Sequence, residues 1–554
     1  MTRRLIAGGL VVDGTGSAGV RADLLIAGDR IEAVLSPGTG AGGADSVIDA
    51  TGQVVCPGFI DIHSHGDLIF TLPPDRQRVL MEGRLGQGIT TEIIGNCGLG
   101  VFPSTQQTEP VLQGIVAWMT PPEVERWEWR DLGGYLDRIE RHGVCANVGA
   151  LQPHGPLRIA AAGMHRELPG AGALRGMRRG LRQALDAGAF GLSTGLIYPP
   201  GIYTTTDEIV DLTTGMAQPG RDPFVASHIR GSSETLLPAA GELIEVGRRT
   251  GARVQHSHNE AVGRDHWHKL DAVLSLQAAS RRQGVAVHYD MFPYTAAATM
   301  MLAIYPPWAL EGGVEMLLAR LADASARAAI REAIDKTVPS WPPWTPQGWP
   351  HNLVRAVGWE RITIGSVGSR ANRRCEGMSL AELGSARRLS PFDAIADLML
   401  EEGGHVSQII HGISGDESHE NGIEVLLAGE GGVICTDAND FGRGRPHPAS
   451  WGAYPRVLGR YVRERGTLSL ENAILRMTSA PAGLLGIRDR GRIGAGCKAD
   501  LVAFDPRTIG SSASFSDPRL PPDGISWVML NGVIVAPREK SEPGAPTAGV
   551  VLRR

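Results

Sequence analysis

The chain has 554 residues, 42% hydrophobic and 20% charged. This is ordinary globular usage, with enough apolar material for a large core that needs no disulfide or metal staple to fold. Its 54 Lys and Arg against 59 Asp and Glu leave a formal net charge of −5, which argues against nucleic acid or an anionic membrane surface as the partner. No apolar run is long enough to span a bilayer. The opening segment, with Arg3, Arg4 and then Asp13, reads as a strand and not as a signal peptide. The six cysteines are scattered along the chain, a pattern of reduced thiols in a cytoplasmic protein and not of a disulfide framework.

Taken in order, residues 5–12, 23–35 and 47–55 are Val-, Ile- and Leu-rich runs punctuated by Gly and Asp, and read as strands. Residues 499–504 and 525–536 look the same, with a hairpin signal at Asn531-Gly532. Between about 57 and 485, apolar strand, polar loop and amphipathic helix alternate. Strand candidates fall at 58–62, 90–94, 146–150, 191–192, 224–228, 253–257, 285–289, 362–364, 408–411 and 432–436, and helical stretches such as 174–187, 234–249 and 314–335 lie between them. The alternation predicts βαβ units and a parallel sheet, in a number that fits a (β/α)8 TIM barrel with insertions. An open doubly wound sheet alternates too, but no G-x-G-x-x-G follows a strand, which disfavours a dinucleotide fold. Residues 337–351 are dense in Pro and Trp and cannot be a helix interior; they read as part of an insertion at about 296–360 that forms a lid. Residues 541–554 read as a flexible tail. No coiled-coil heptads appear, so the oligomeric state, a homo-oligomer included, stays open.

Asp61-Ile62-His63-Ser64-His65 closes an apolar strand. Residues i and i+2 of a strand point to one side, so His63 and His65 can hold one ion. Cys97, His228, His258 and Asp437 each end another strand candidate. Singly, they also read as a free thiol, hydrogen-bonded histidines and a capping aspartate. Together, imidazole, thiolate and carboxylate gathered at the strand ends of one barrel suit zinc.

The segments 55–67 (VCPGFIDIHSHGD), 95–98 (GNCG), 188–201 (GAFGLSTGLIYPPG), 293–296 (PYTA), 454–461 (YPRVLGRY) and 489–505 carry a resemblance. On them the chain resembles the amidohydrolase superfamily and, within it, the D-aminoacylase (N-acyl-D-amino-acid deacylase) family, essentially end to end. The resemblance implies one or two zinc ions. His63, His65 and Asp437 would line one position, His228 and His258 the other, and Cys97 would be a bridging or tight-site thiolate. It implies hydrolysis of a small-molecule amide by metal-activated water, with Asp437 taking the proton and returning it to the leaving nitrogen. Tyr294 would act near the substrate, and Tyr198, Arg230, Arg443, Arg445 and His447 would bind it. It also fits a small β-sandwich domain built from both chain ends, 1–56 and 486–540. Relatives elsewhere in the superfamily bridge two metals with a carboxylated lysine, but no lysine precedes Lys269 here. That favours the cysteine-type site over a hydantoinase or dihydroorotase.

Three departures bear on the substrate. Asn259-Glu260 stands where the family continues with His-Lys or Leu-Lys, Gly231-Ser232 replaces an acidic pair, and His447-Pro448-Ala449 replaces His-Pro-Arg. That arginine is expected to clamp a substrate carboxylate as a bidentate pair, which Ala449 cannot do. The expected function is zinc-dependent cleavage of an N-acyl-D-amino acid or related N-acyl compound. The alternatives are a zinc amidohydrolase for a different amide, lactam or N-acyl amine lacking the carboxylate, with Arg443 or Arg445 as the substitute clamp otherwise, and a non-catalytic scaffold of the same fold. Regular strand geometry would send His256 to the same side as His258, and the sequence does not decide between them.

Overall fold

The computed structural model describes residues 2–39, 43–218, 222–343 and 348–554; the Pro/Trp-rich segment therefore falls outside it at 344–347. The chain opens with β1 (Arg3–Val11), β2 (Val20–Ala27), β3 (Arg30–Leu35), β4 (Ser46–Asp49) and β5 (Val54–Pro57). A central series follows: β6 (Phe59–Asp61), β7 (Ile89–Ile94), β8 (Asn147–Ala150), β9 (Gln152–Pro153), β10 (Leu192–Gly195), β11 (Phe224–His228), β12 (Arg253–His256) and β13 (Val287–Met291). Then come β14 (Ala296–Met300), β15 (Ile362–Val367), β16 (Val406–His411) and β17 (Gly432–Ile434), and last β18 (Leu501–Phe504), β19 (Ile525–Leu530) and β20 (Val533–Ala536).

The two chain ends share one sheet, in the order β20-β19-β18-β5-β1-β2-β3 with β4 on β1. Val502 of β18 lies opposite Cys56 of β5 in antiparallel register, and Ile6, Leu24, Ile26, Leu501 and Met529 form an apolar cluster of their own beneath it. The central strands are parallel, in the orders β17-β13-β12-β11-β10-β9 and β6-β7-β8. Only Leu151 separates β8 from β9. At the other edge the Asp437 N–H donates to the His63 carbonyl (3.0 Å) and the His65 N–H to the Ala438 carbonyl (3.2 Å), so the residues after β17 run beside those after β6. Strands β7, β10 and β11 are buried along their whole length, as parallel strands covered on both faces must be, which is why they read as continuous apolar runs.

The helices between them end as their sequences dictate. Ala171–Ala187 stops at Gly188 in the left-handed conformation, a glycine C-cap. The expected helix at 314–335 is two, Val314–Ala322 and Ala324–Lys336, because the Asp323 carboxylate accepts the Ala326 N–H and starts the second. No helix among the described residues is long and apolar enough to cross a membrane.

Two expectations are corrected. The candidates at 362–364 and 408–411 are not members of the parallel series: β15 and β16 pair antiparallel with each other, and β16 with β14. The insertion between β13 and β17 therefore runs well past residue 360. The tail is also not loose. The Val148 N–H donates to the Val550 carbonyl (3.0 Å), and the Leu552 N–H to the Val148 carbonyl (2.7 Å). On one side β8 pairs with β7; its other edge would leave buried backbone groups without partners, and the tail supplies them.

Candidate metal centre

The six residues of the expected donor set all sit at or just past the C-terminal ends of parallel strands: His63 and His65 after β6, Cys97 after β7, His228 at the end of β11, His258 after β12 and Asp437 after β17. Cys97 (φ 54°), His258 (37°) and Asp437 (50°) are three of the six non-glycine residues with positive φ among the described residues. Such backbone costs roughly 1–3 kcal/mol each. It also breaks strand alternation, so that these side chains turn into one cavity. This settles the His256 question. β12 ends at His256, whose Nδ1 accepts from the Gln277 side chain (3.2 Å), while the turn at His258 sends that ring into the cavity instead.

Cys97 Sγ lies 3.2 Å from His63 Nε2 and 3.5 Å from His258 Nε2. Asp437 Oδ1 lies 3.2 Å from His65 Nε2 and 3.5 Å from His63 Nε2. The rings of His228 and His258 are 4.3 Å apart. In each of the sets His63–Cys97–His258 and His63–His65–Asp437, the donor atoms lie within 4.8 Å of one another. Behind them stands Asp290 on β13, 3.3 Å from His63 Nδ1 and accepting the His258 N–H at 2.6 Å; Gln255 donates to its other oxygen. Sequence reading missed Asp290, although a carboxylate inside the apolar run 287–291 was a visible signal. It holds the His63 ring through Nδ1, with Nε2 toward the donor cluster, the outer-shell role that metal-ligating histidines usually receive, and it pins the backbone at His258.

The electrostatics follow from the packing. Burial alone would raise the Cys97 thiol, but the charge on His63 and hydrogen bonds from His228, His258 and His63 hold it well below the usual thiol value. Burial would also raise Asp437, yet His63, His65 and His258 hold it at about 2. Against the pull of burial, Asp437 and Cys97 push His65 up to about 9, and Cys97 and Glu260 do the same for His258. His228 goes the other way, to about 4, through burial and its neighbour His258. A buried thiolate and a carboxylate whose only compensation is protons on imidazole is a donor set in which a cation can take the place of those protons.

The expected substrate residues divide. Tyr198 is in the cavity, its hydroxyl bonded to Thr299 (2.8 Å) and its ring 5.0 Å from His228. Arg230 is not: its guanidinium is fully buried, bonded to Glu242 (2.9 Å) and to the carbonyls of Ile202 (3.3 Å) and Thr204 (2.7 Å), so it braces the wall and does not face substrate. Tyr294 is likewise withdrawn. Its ring packs edge-on against His447 (5.1 Å) and beneath Arg456 (4.9 Å), outside the cavity lining. His447 spends both nitrogens, Nε2 donating to the Ala296 carbonyl (2.8 Å) and Nδ1 accepting from the Ala449 N–H (3.1 Å). Arg443 and Arg445 line a neighbouring cavity with His447, which meets the first at Trp118 and Ala298; Arg443 donates to the Ala117 carbonyl (2.5 Å). The cavity walls that sequence reading missed are Trp118, Glu260 and, from the insertion, Thr299, His351 and Ile410. His351 is held by the Ser232 N–H (3.3 Å) and the Ser233 hydroxyl (3.1 Å) at Nδ1.

Thiolate, imidazoles and carboxylate converging at the ends of parallel strands are the donor chemistry of a metal-dependent enzyme. The sequence profile of the amidohydrolase family matches residues 46–536, and the chain belongs to that family. The N-acyl-D-glutamate deacylase of Alcaligenes xylosoxydans xylosoxydans is 33% identical over 559 residues, covering 99% of this chain and 96% of the relative. The crystal structure of N-acyl-D-glutamate deacylase from Bordetella bronchiseptica, complexed with zinc and a phosphonate that mimics the tetrahedral intermediate, is 29% identical with a TM-score of 0.80, covering 100% of this chain and 99% of that one. A D-aminoacylase structure described with a binuclear metal centre, one-metal activation and second-metal attenuation is 28% identical with a TM-score of 0.79 and the same coverage.

Proposed function

We propose that the protein is a cytoplasmic zinc-dependent amidohydrolase that cleaves the amide of an N-acyl compound, of the N-acyl-D-amino-acid kind for which its relatives are named or a close analogue. The scaffold in this reading is a (β/α)8 barrel over residues 57–485, with a small β-sandwich contributed by 1–56 and 486–540. The barrel is supported by the parallel segments themselves, with β8 and β9 acting as one strand, and by the backbone bonds of Asp437 and His65 that link the first and last of them.

The single observation that carries the reading is the pair of acidic groups, buried Cys97 and partly exposed Asp437, each within 3.5 Å of two imidazole nitrogens. His63, His65 and Asp437 would hold one ion, His228 and His258 a second, with Cys97 reaching both positions. When bound, zinc supplies Lewis acidity and a water of lowered pKa. The chain's own residues do the rest. Asp437, ionised at about 2, accepts a proton at Oδ1 and returns it to the leaving nitrogen. Tyr198 and Thr299 offer hydroxyl donors for the acyl oxygen. Asp290 keeps the His63 ring and the His258 backbone fixed, and the insertion, through β14, His351 and Ile410, screens the cavity from bulk water.

The test is to measure bound zinc by elemental analysis together with amine release from N-acetyl amino acids, D and L, before and after chelation. Loss of turnover with the metal and its recovery on adding zinc is the expected result. Turnover that survives complete metal removal would refute the reading.

A further inference from the structure

Among its described lining residues the cavity over the donor cluster contains no lysine or arginine. Of the nearby cations, Arg230 is held by Glu242 and Lys269 by the carbonyls of Ser233 (2.9 Å) and Glu234 (3.0 Å), while Arg443 and Arg445 lie in the adjoining cavity beyond Trp118 and Ala298, where Arg443 donates to the Ala117 carbonyl. The wall instead carries a carboxyl group. Glu260 is 7% exposed; its Oε1 is 3.8 Å from His258 Nδ1, and its Oε2 is buried with no hydrogen-bond partner. In either protonation state it contributes no positive charge. The remaining surface is largely apolar, with Leu99, Trp118, Ile197, Val262, Leu353 and Ile413. Away from the donor cluster, a substrate carboxylate entering here would give up water and find no lysine or arginine to pair with, a costly polar burial. An N–H or ammonium group would find the open acceptor of Glu260.

We propose, resting on the amide-hydrolysis reading above, that the substrate is an N-acyl amine whose amine part is apolar and bears no carboxylate, with a neutral or cationic N–H group facing Glu260. The reaction is R–CO–NH–R′ + H2O → R–COO⁻ + R′–NH3⁺: the amide C–N bond breaks, a C–O bond forms, and the amine leaves with the proton. Glu260 is the specificity residue of the cavity.

The experiment uses the zinc-loaded full chain and a matched series: N-acetyl-D-leucine, N-acetyl-L-leucine, the two N-acetyl-leucinamides and N-acetyl-isopentylamine. The expected kcat/KM for the carboxylate-free members exceeds that for the acids by at least about 100-fold, the order expected where a buried polar group lacks its partner. Glu260→Lys, with zinc content measured alongside, is expected to narrow that ratio by at least about tenfold without losing metal. A wild-type preference for the acids overturns the inference and leaves amide hydrolysis standing. Equal loss on every substrate together with lost zinc makes Glu260 a positioning residue for His258 and overturns its specificity role. If no member is turned over, amide hydrolysis fails, and calorimetric binding of the same compounds decides the inference separately: tighter binding of the carboxylate-free members supports it, and tighter or equal binding of the acids overturns it.

Discussion

The backbone N–H of Asp437 donates to the carbonyl of His63 at 3.0 Å, and its carboxylate Oδ1 lies 3.5 Å from the Nε2 of the same histidine. The segments that follow β6 and β17 thus run side by side where their side chains share a donor cluster. Asp437→Asn preserves the backbone bond and the side-chain shape but removes the proton acceptor. The expected outcome is a fall in kcat of about 10²- to 10⁴-fold, the usual share of general acid–base catalysis, with most of the zinc still bound. Normal turnover in this variant would take Asp437 out of the mechanism.

Cys97 differs from Cys56, Cys145 and Cys435. Burial holds the thiols of Cys56, Cys145 and Cys435 up, whereas three histidines hold Cys97 down, and Cys97 opens onto the cavity. Thiolate fraction and access govern alkylation. In chelator-stripped protein, iodoacetamide should label Cys97 at least about tenfold faster than any other cysteine, and added zinc should protect it. Peptide mass spectrometry reads both; labelling at equal rates, or no protection, would contradict the assignment.

Several buried histidines make the fold acid-sensitive, His447 and His288 among them. Burial depresses His447 to about 4 against the opposing pull of the Ala296 carbonyl and Asp437, and burial with Arg281 and Arg253 does the same to His288. Unfolded, each titrates near 6.5. Between these values the unfolded chain binds protons that the native one refuses, so stability is complete above about 6.5 and falls as pH drops through the window, by roughly 1.4 kcal/mol per pH unit for each group. The melting temperature should fall from pH 7 to pH 5, and His288→Gln should flatten the slope. A melting temperature that stays level over this range would show that these rings charge freely in the native state.

The donor set was legible because each member is a ligand-type residue closing a run of Val, Ile or Ala that could only be a buried strand. The parallel series was legible for the same reason. What stayed hidden depended on partners far away in the chain. Arg230 reads as a free cation after His228 until Glu242, on the next helix, is seen to hold it. Tyr294 sits in the motif that suggests a substrate contact, yet its ring packs on His447, outside the cavity lining. β15 and β16 present the same short Ile and Val runs as the central strands and are mostly buried like them, and only their antiparallel partners separate them. Glu260 and His351 are single loop residues with no periodicity to mark them.

The tail carries the last prediction. Residues 541–554 have the polar, Pro- and Gly-rich composition of a loose end, but Gly549, Leu552 and Arg554 donate backbone N–H groups to the carbonyls of Val144 (2.9 Å), Val148 (2.7 Å) and Gly188 (3.1 Å), and Arg553 pairs with Asp137 and Glu140, each at 2.8 Å. Val148 is fully buried, so removing its partners leaves an N–H and a carbonyl stranded at the edge of β8. Each lost bond to such a group costs about 1–3 kcal/mol; the exposed Arg553 pairs add little. Deleting residues 549–554 should therefore lower stability by about 2–5 kcal/mol, read as a lower urea midpoint. Because β8 pairs with β7, which leads into the Cys97 loop, zinc retention in mild denaturant should fall with it. A deletion that leaves the urea midpoint unchanged would mean that water replaces the tail at the β8 edge without penalty.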